Sequence, residues 1–100
     1  MTDFQVGPFE WDLRKELKNI RKHSVSFDEA RLAFDDPHCV FKLDATHSQD
    51  EIRWFCFGKV KRKLLTVRFT RRGGRIRIFG AGEWKKGRKN YEKKESKKTA

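Results

Sequence analysis

The stretch KLLTVRFTRRGGRIRIFG, residues 63–80, decides the fold. Two segments rich in β-branched and aromatic residues flank Gly73-Gly74, a pair that accepts the positive φ of a tight hairpin turn. Pairing across that turn sets Arg72 against Arg75, Arg71 against Ile76, Thr70 against Arg77 and Phe69 against Ile78. Continued without interruption, it sets Arg68 against Phe79 and Val67 against Gly80. Residues paired across a hairpin share a face, so Val67, Phe69, Ile76 and Ile78 collect as a core. Arg68, Thr70, Arg72, Arg75, Arg77 and Phe79 collect on the other side. Guanidinium forks take phosphate bidentately and aromatic rings stack on bases, so such a face suits single-stranded RNA. The plainer alternative is a solvated face whose arginine stems lie over a few aromatics.

The segment just before, IRWFCFGKV (52–60), is apolar on both faces, as a strand inside a sheet requires. With Lys61-Arg62 as its turn, Arg53 opposes Thr70 and Phe55 opposes Arg68, bringing Arg53, Phe55 and Phe57 to the arginine face. A slip of one residue would present Trp54 and Cys56 instead, and the pattern leaves both registers open. Further upstream, DLRKELKNIRKH (12–23) reads as a helix capped by Asp12, with Leu13, Leu17 and Ile20 as an apolar stripe opposite basic residues. Phe9 and Trp11 are expected to pack under its start. Ser26 and Glu29 have the spacing of a capping box for a short second helix that ends at DDP (35–37). CVFKL (39–43) is β-like. EWKKGRKNYEKK, from Glu83, reads as a last helix weakened by Gly87. The expectation is therefore an α+β domain over residues 1–92: two N-terminal helices, a three- to four-stranded antiparallel sheet and a C-terminal helix, with a disordered basic tail at 93–100.

The chain has 100 residues and a net charge of +11. Residues 1–50 hold 7 Lys/Arg against 10 Asp/Glu, or −3, and residues 51–100 hold 18 against 4, or +14. That asymmetry points to a polyanionic partner for the second half. The N-terminus has neither the basic start nor the apolar run of a signal peptide, and no stretch is long enough to span a membrane. A cytoplasmic protein is expected. Cys39 and Cys56 suggest no disulfide framework. With His38 and His47 they fit no recognised zinc spacing, so neither a metal nor another cofactor is expected.

RNA can be cut without metal when a base takes the 2′-OH proton, cations stabilise the phosphorane and an acid protonates the departing 5′ oxygen. HSQDEIRW (47–54) brings His47, Glu51 and Arg53 together at the start of a strand. His47 or Glu51 is a candidate base, and Arg53, Arg72 and Arg77 are candidate charge stabilisers. Glu51 reads equally as a surface ion pair. Lys22 and His23 are candidate RNA contacts, although cations at a helix C-terminus also suit the macrodipole. Arg68, Arg75 and Phe79 complete the expected RNA-binding set.

The order of FEWD (9–12), RKHSVSFDEARLAFDDP (21–37), HSQDEIRWFCFG (47–58) and LLTVRFTRRGGRIRIFGAGEWKKGRKNYE (64–92) resembles the BrnT family, toxins of bacterial type II toxin–antitoxin systems. The resemblance implies a RelE-like fold, metal-independent ribonuclease activity and growth arrest through a block of translation. It also implies neutralisation by a BrnA antitoxin, a ribbon-helix-helix protein, in a complex with two copies of each chain. That complex would repress its own operon, so operator DNA would be met only through the antitoxin. Trp11, Lys22, His23, His47, Glu51, Arg53, Arg72, Arg75 and Arg77 stand at the family's polar or aromatic motif positions. Two departures stand out: Arg71 replaces a glutamate common in the hairpin, and AGEWK (81–85) replaces an arginine-rich segment. The alternative from another class is a non-catalytic basic binding module that acts only in an operon-regulating complex.

Overall fold

The computed structural model describes residues 2–99, with side chains through Lys93. Six strands form one sheet: β1 (Asp3–Val6), β2 (Phe9–Asp12), β3 (Val40–Leu43), β4 (Arg53–Val60), β5 (Lys63–Arg72) and β6 (Arg75–Gly82). Their order across the sheet is β1-β2-β6-β5-β4-β3, and only the β2–β6 pair is parallel. Three α-helices accompany them: α1 (Leu13–His23), α2 (Phe27–Ala30), which runs on as a 3-10 turn to Asp35, and α3 (Lys85–Thr99). The fold is α+β, but the sheet is larger than three or four strands and not wholly antiparallel. Nor do two helices open the chain, because an N-terminal hairpin precedes them. Phe9 and Trp11, expected under the start of the first helix, are buried there on a strand along β6, with Trp11 Nε1 donating to Glu16 of α1. Of the basic tail read at 93–100, residues 93–99 fall on the last turns of α3, while residue 100 and the side chains from 94 onward lie outside the described residues.

The arginine hairpin forms around Gly73 and Gly74, both with positive φ, and pairs as expected from Arg72–Arg75 to Phe69–Ile78. There the register changes. A bulge between Arg68 and Phe69 leaves Phe79 as the extra residue, so Arg68 faces Gly80 and Val67 faces Ala81. Bulges re-aim side chains, and this one turns Phe79 out of the ladder. The β4–β5 register is the one in which Arg53 opposes Thr70 and Phe55 opposes Arg68.

The core face of the sheet buries Trp11, Cys56, Leu65, Val67 and Ile78 against Phe27, Ala30 and Ala33. Burial also pushes the Cys56 thiol well above its ordinary value, and the described residues hold no disulfide. α1 does not bury its apolar stripe. Its one buried residue is Asn19, whose amide donates to the carbonyls of Val25 and Ala81 and accepts from the Ala81 N–H. β2 stops pairing at Ile78, so Asn19 satisfies the edge of β6 that β2 leaves open. Glu16 fixes the other side of α1: its carboxylate accepts from Trp11 Nε1 and from the Phe27 and Asp28 N–H groups at the start of α2. Ser26 caps the same helix through the Glu29 N–H. On the arginine face α3 covers the far end of β4, where Tyr91 joins Phe55 and Phe57 in a second small core.

Candidate functional site

Between α1 and α3 the arginine face stays open as a groove. Three hollows line it in sequence. The first is walled by Thr46, His47, Glu51 and Arg53, and the second by Asp44, His47, Thr66, Arg68, Trp84 and Lys86. The third is walled by Lys15, Lys18, Lys22, His23, Arg68, Phe79 and Trp84. His47 belongs to the first two, while Arg68 and Trp84 belong to the last two, so the run is continuous.

At its centre His47 Nδ1 lies 3.1 and 3.0 Å from the two oxygens of Asp44. Asp44 is 4% exposed and is fixed at its backbone, where its N–H donates to Arg53 and its carbonyl accepts from the Ser48 hydroxyl. A carboxylate on Nδ1 selects the tautomer that carries its proton there. In the neutral ring that leaves Nε2 as the acceptor, on a side chain that is itself exposed. Arg68, Lys86, Lys22, Lys18 and Lys15 form no ion pair among the described residues. The Thr66 hydroxyl in the second hollow is buried and has no hydrogen-bond partner among them. Arg53 stacks 4.4 Å from the centre of the Phe79 ring, Lys15 lies 5.2 Å from it, and His23 meets Trp84 edge-on at 5.1 Å. The site thus combines an oriented imidazole, uncompensated cations and two partly exposed rings.

Eight of the ten residues singled out in the sequence come to this face of the groove or its rim. His47, Glu51 and Arg53 share one hollow; Lys22, His23, Arg68 and Phe79 share another. Arg72 joins the rim through Glu51, which accepts two bonds from its Nη2 at 3.0 and 3.2 Å. Glu51 also pairs with Arg53 at 3.8 Å. Arg75 and Arg77 are separated from this set. Arg77 bonds Asp3 and Glu10, the latter at 2.6 Å; Arg75 bonds Glu10 and the carbonyls of Gly7 and Phe9. The Asp3 hydrogen bond raises the pKa of Arg77 against the opposing pull of burial, and that of Asp3 is lowered in return. Both guanidinium groups therefore hold the N-terminal hairpin to β6.

The sequence reading missed Asp44, Lys15, Lys18, Trp84 and Lys86. Asp44 carried a signal, since DATH places a carboxylate three residues before His47 and the two meet across a 3-10 turn (Ala45–His47). The two departures resolve differently. Arg71 points to the opposite face, among Phe34, Phe41, Trp54, Phe69 and Ile76. AGEWK instead delivers Trp84 into the groove. No cluster of three or more potential metal ligands occurs among the described residues, and no helix there is long and apolar enough to cross a membrane.

A protein-family model described as "Ribonuclease toxin, BrnT, of type II toxin-antitoxin system" matches residues 11–87. No curated protein matches the chain.

Proposed function

The chain belongs to the BrnT family of type II toxin–antitoxin ribonuclease toxins, and on that premise we propose that it cuts RNA in the groove by metal-independent acid–base chemistry. The observation that carries the proposal is the Asp44–His47 pair opening onto the same hollow as Arg68 and Lys86, neither of which forms an ion pair among the described residues. His47 Nε2 takes the 2′-OH proton as the oxygen attacks the adjacent phosphorus, and Asp44 stabilises the imidazolium that results. Arg68 and Lys86 meet the negative charge that builds on the phosphorane. His23, edge-on to Trp84 in the hollow that it shares with Arg68, protonates the departing 5′ oxygen. Phe79, flanked by Arg53 and Lys15, stacks a base while Lys18 and Lys22 track the backbone. Glu51 orients Arg53 and Arg72 at the rim, and Arg75 and Arg77 serve the fold.

Family membership makes an antitoxin the partner of this chain. We further assign it the BrnA-like ribbon-helix-helix form, two copies of each chain per complex, and operator contact through the antitoxin alone.

The test is cleavage of a single-stranded RNA by purified chain in a chelator, with His47→Gln and Arg68→Ala alongside. Each variant should lose at least about 100-fold in rate while its circular dichroism spectrum stays unchanged. A folded His47→Gln that cuts at the wild-type rate would remove His47 from the mechanism. Wild-type protein that binds RNA but neither cuts it nor arrests growth would transfer the reading to a non-catalytic binding module.

A further inference from the structure

Leu13, Leu17 and Ile20 recur at i, i+4 and i+7, which stacks them on one side of α1. They nevertheless remain 39%, 57% and 40% exposed. The polar side chains of α1 hold it in place: Asn19 on the β6 edge, and Glu16 on Trp11 of β2 and on the start of α2. The aliphatic row is therefore free for another use. At about 100° per residue, Arg21, Arg14 and Lys18 follow that row around the solvent side of the helix. None of the three forms an ion pair among the described residues. Lys22 and Lys15 come next, and with Lys18 they belong to the groove wall.

We propose that this outer face of α1 docks an acidic amphipathic helix of the antitoxin, with aliphatic side chains on Leu13, Leu17 and Ile20 and carboxylates on Arg14, Lys18 and Arg21. The occupant rests on the toxin reading, which supplies an antitoxin; the surface itself does not. Complementarity argues against a second copy of this chain. Two α1 faces would bring the same cations together on molecules that each carry +11, and like charges set face to face oppose association. An apolar row edged with carboxylates answers both parts of the surface, in the helix-in-groove mode. Neutralisation follows from position: α1 walls the groove, so carboxylates that reach Lys18 and Lys22 compete there with RNA phosphates.

Calorimetric titration of the antitoxin from the same operon into the full chain tests this, with Leu17→Glu and Arg14→Glu as variants. Both side chains are exposed and outside the groove, so folding and RNA cleavage should be unchanged. Each variant should weaken antitoxin binding by at least about tenfold. Wild-type affinity in both folded variants would put the antitoxin elsewhere, and a wild-type chain that binds no antitoxin would overturn the proposal as well. Self-association of the wild type that Leu17→Glu abolishes would make a second copy the occupant. Failure of the toxin reading shows separately, as a wild-type chain that does not cut RNA while the titration still reports on α1.

Discussion

Arg68 and Arg77 look alike in sequence, each set in a strand that alternates with apolar residues, and they do opposite things. Arg68 has no carboxylate among the described residues and stands where two hollows meet. Arg77 lies between Glu10 and Asp3, its side chain only 13% exposed. Removing Arg77 leaves Glu10, itself 13% exposed at the side chain, without its shortest partner. A hydrogen bond to a charged group contributes on the order of 2 kcal/mol, so Arg77→Ala should lower unfolding free energy by about that much in a denaturant titration. Cleavage per folded molecule should persist. Loss of activity at unchanged stability would return Arg77 to the site. Local pattern could not separate the two arginines, because the groups that distinguish them lie more than sixty residues away in the chain. His47 is different: its partner Asp44 is three residues off, within reach of a closer reading.

Among the elements, the hairpin was legible because a glycine pair fixed its turn and a strict alternation fixed its faces. The bulge was not, since nothing in RIRIFG marks Phe79 as the residue that leaves the ladder. Four-residue strands such as β1 and β2 are too short to show a period, and the apolar row of α1 suggested burial that Asn19 supplies instead. α3 is the element most exposed to test. Gly87 packs so closely on β5 and β4 that a Cβ there would collide with the Thr66 hydroxyl and lie 3.1 Å from the Phe57 ring. Alanine favours a helix over glycine by about 1 kcal/mol, whereas overpacking a well-filled site costs about 1–3 kcal/mol. Gly87→Ala should therefore be net destabilising, read as a lower denaturant midpoint; a gain in stability would mean that α3 slides freely.

The same helix is moored by acid-sensitive chemistry. Asp36 accepts from the Tyr91 hydroxyl at 2.8 Å and from the Lys59 and His38 N–H groups at 2.8 and 2.9 Å. Burial works to raise its pKa, but these three donors prevail and hold it below the ordinary carboxylate value. A group whose folded pKa is depressed stabilises fully above its unfolded value, near 3.9, and loses that contribution as pH falls through the folded value. Acid titration should thus loosen α3 below about pH 4, seen as faster hydrogen exchange along residues 85–91. Asp36→Asn should flatten that acid limb while costing about 1 kcal/mol at neutral pH. An unchanged limb in the variant would assign it to another carboxylate.

Across the whole molecule, charge and shape divide the labour. The acidic residues of the first half are largely consumed in holding structure: Asp3 and Glu10 on arginines, Glu16 on α2, Asp36 on α3, Asp44 on His47. The groove cations keep their charge for a partner. Lys18 and Lys22 sit on its α1 wall, away from the Asp44–His47 pair, so they should govern affinity rather than chemistry. Each phosphate contact on a single strand contributes about 0.7 to the slope of log K against log salt. Lys18→Gln combined with Lys22→Gln should therefore flatten the slope for single-stranded RNA by about 1.4. It should raise KM at fixed salt and leave kcat nearly untouched. If kcat fell instead and the salt slope held, Lys18 and Lys22 would join His23 at the reacting end of the groove, and the phosphate track would have to run along the sheet past Arg53 and Arg72.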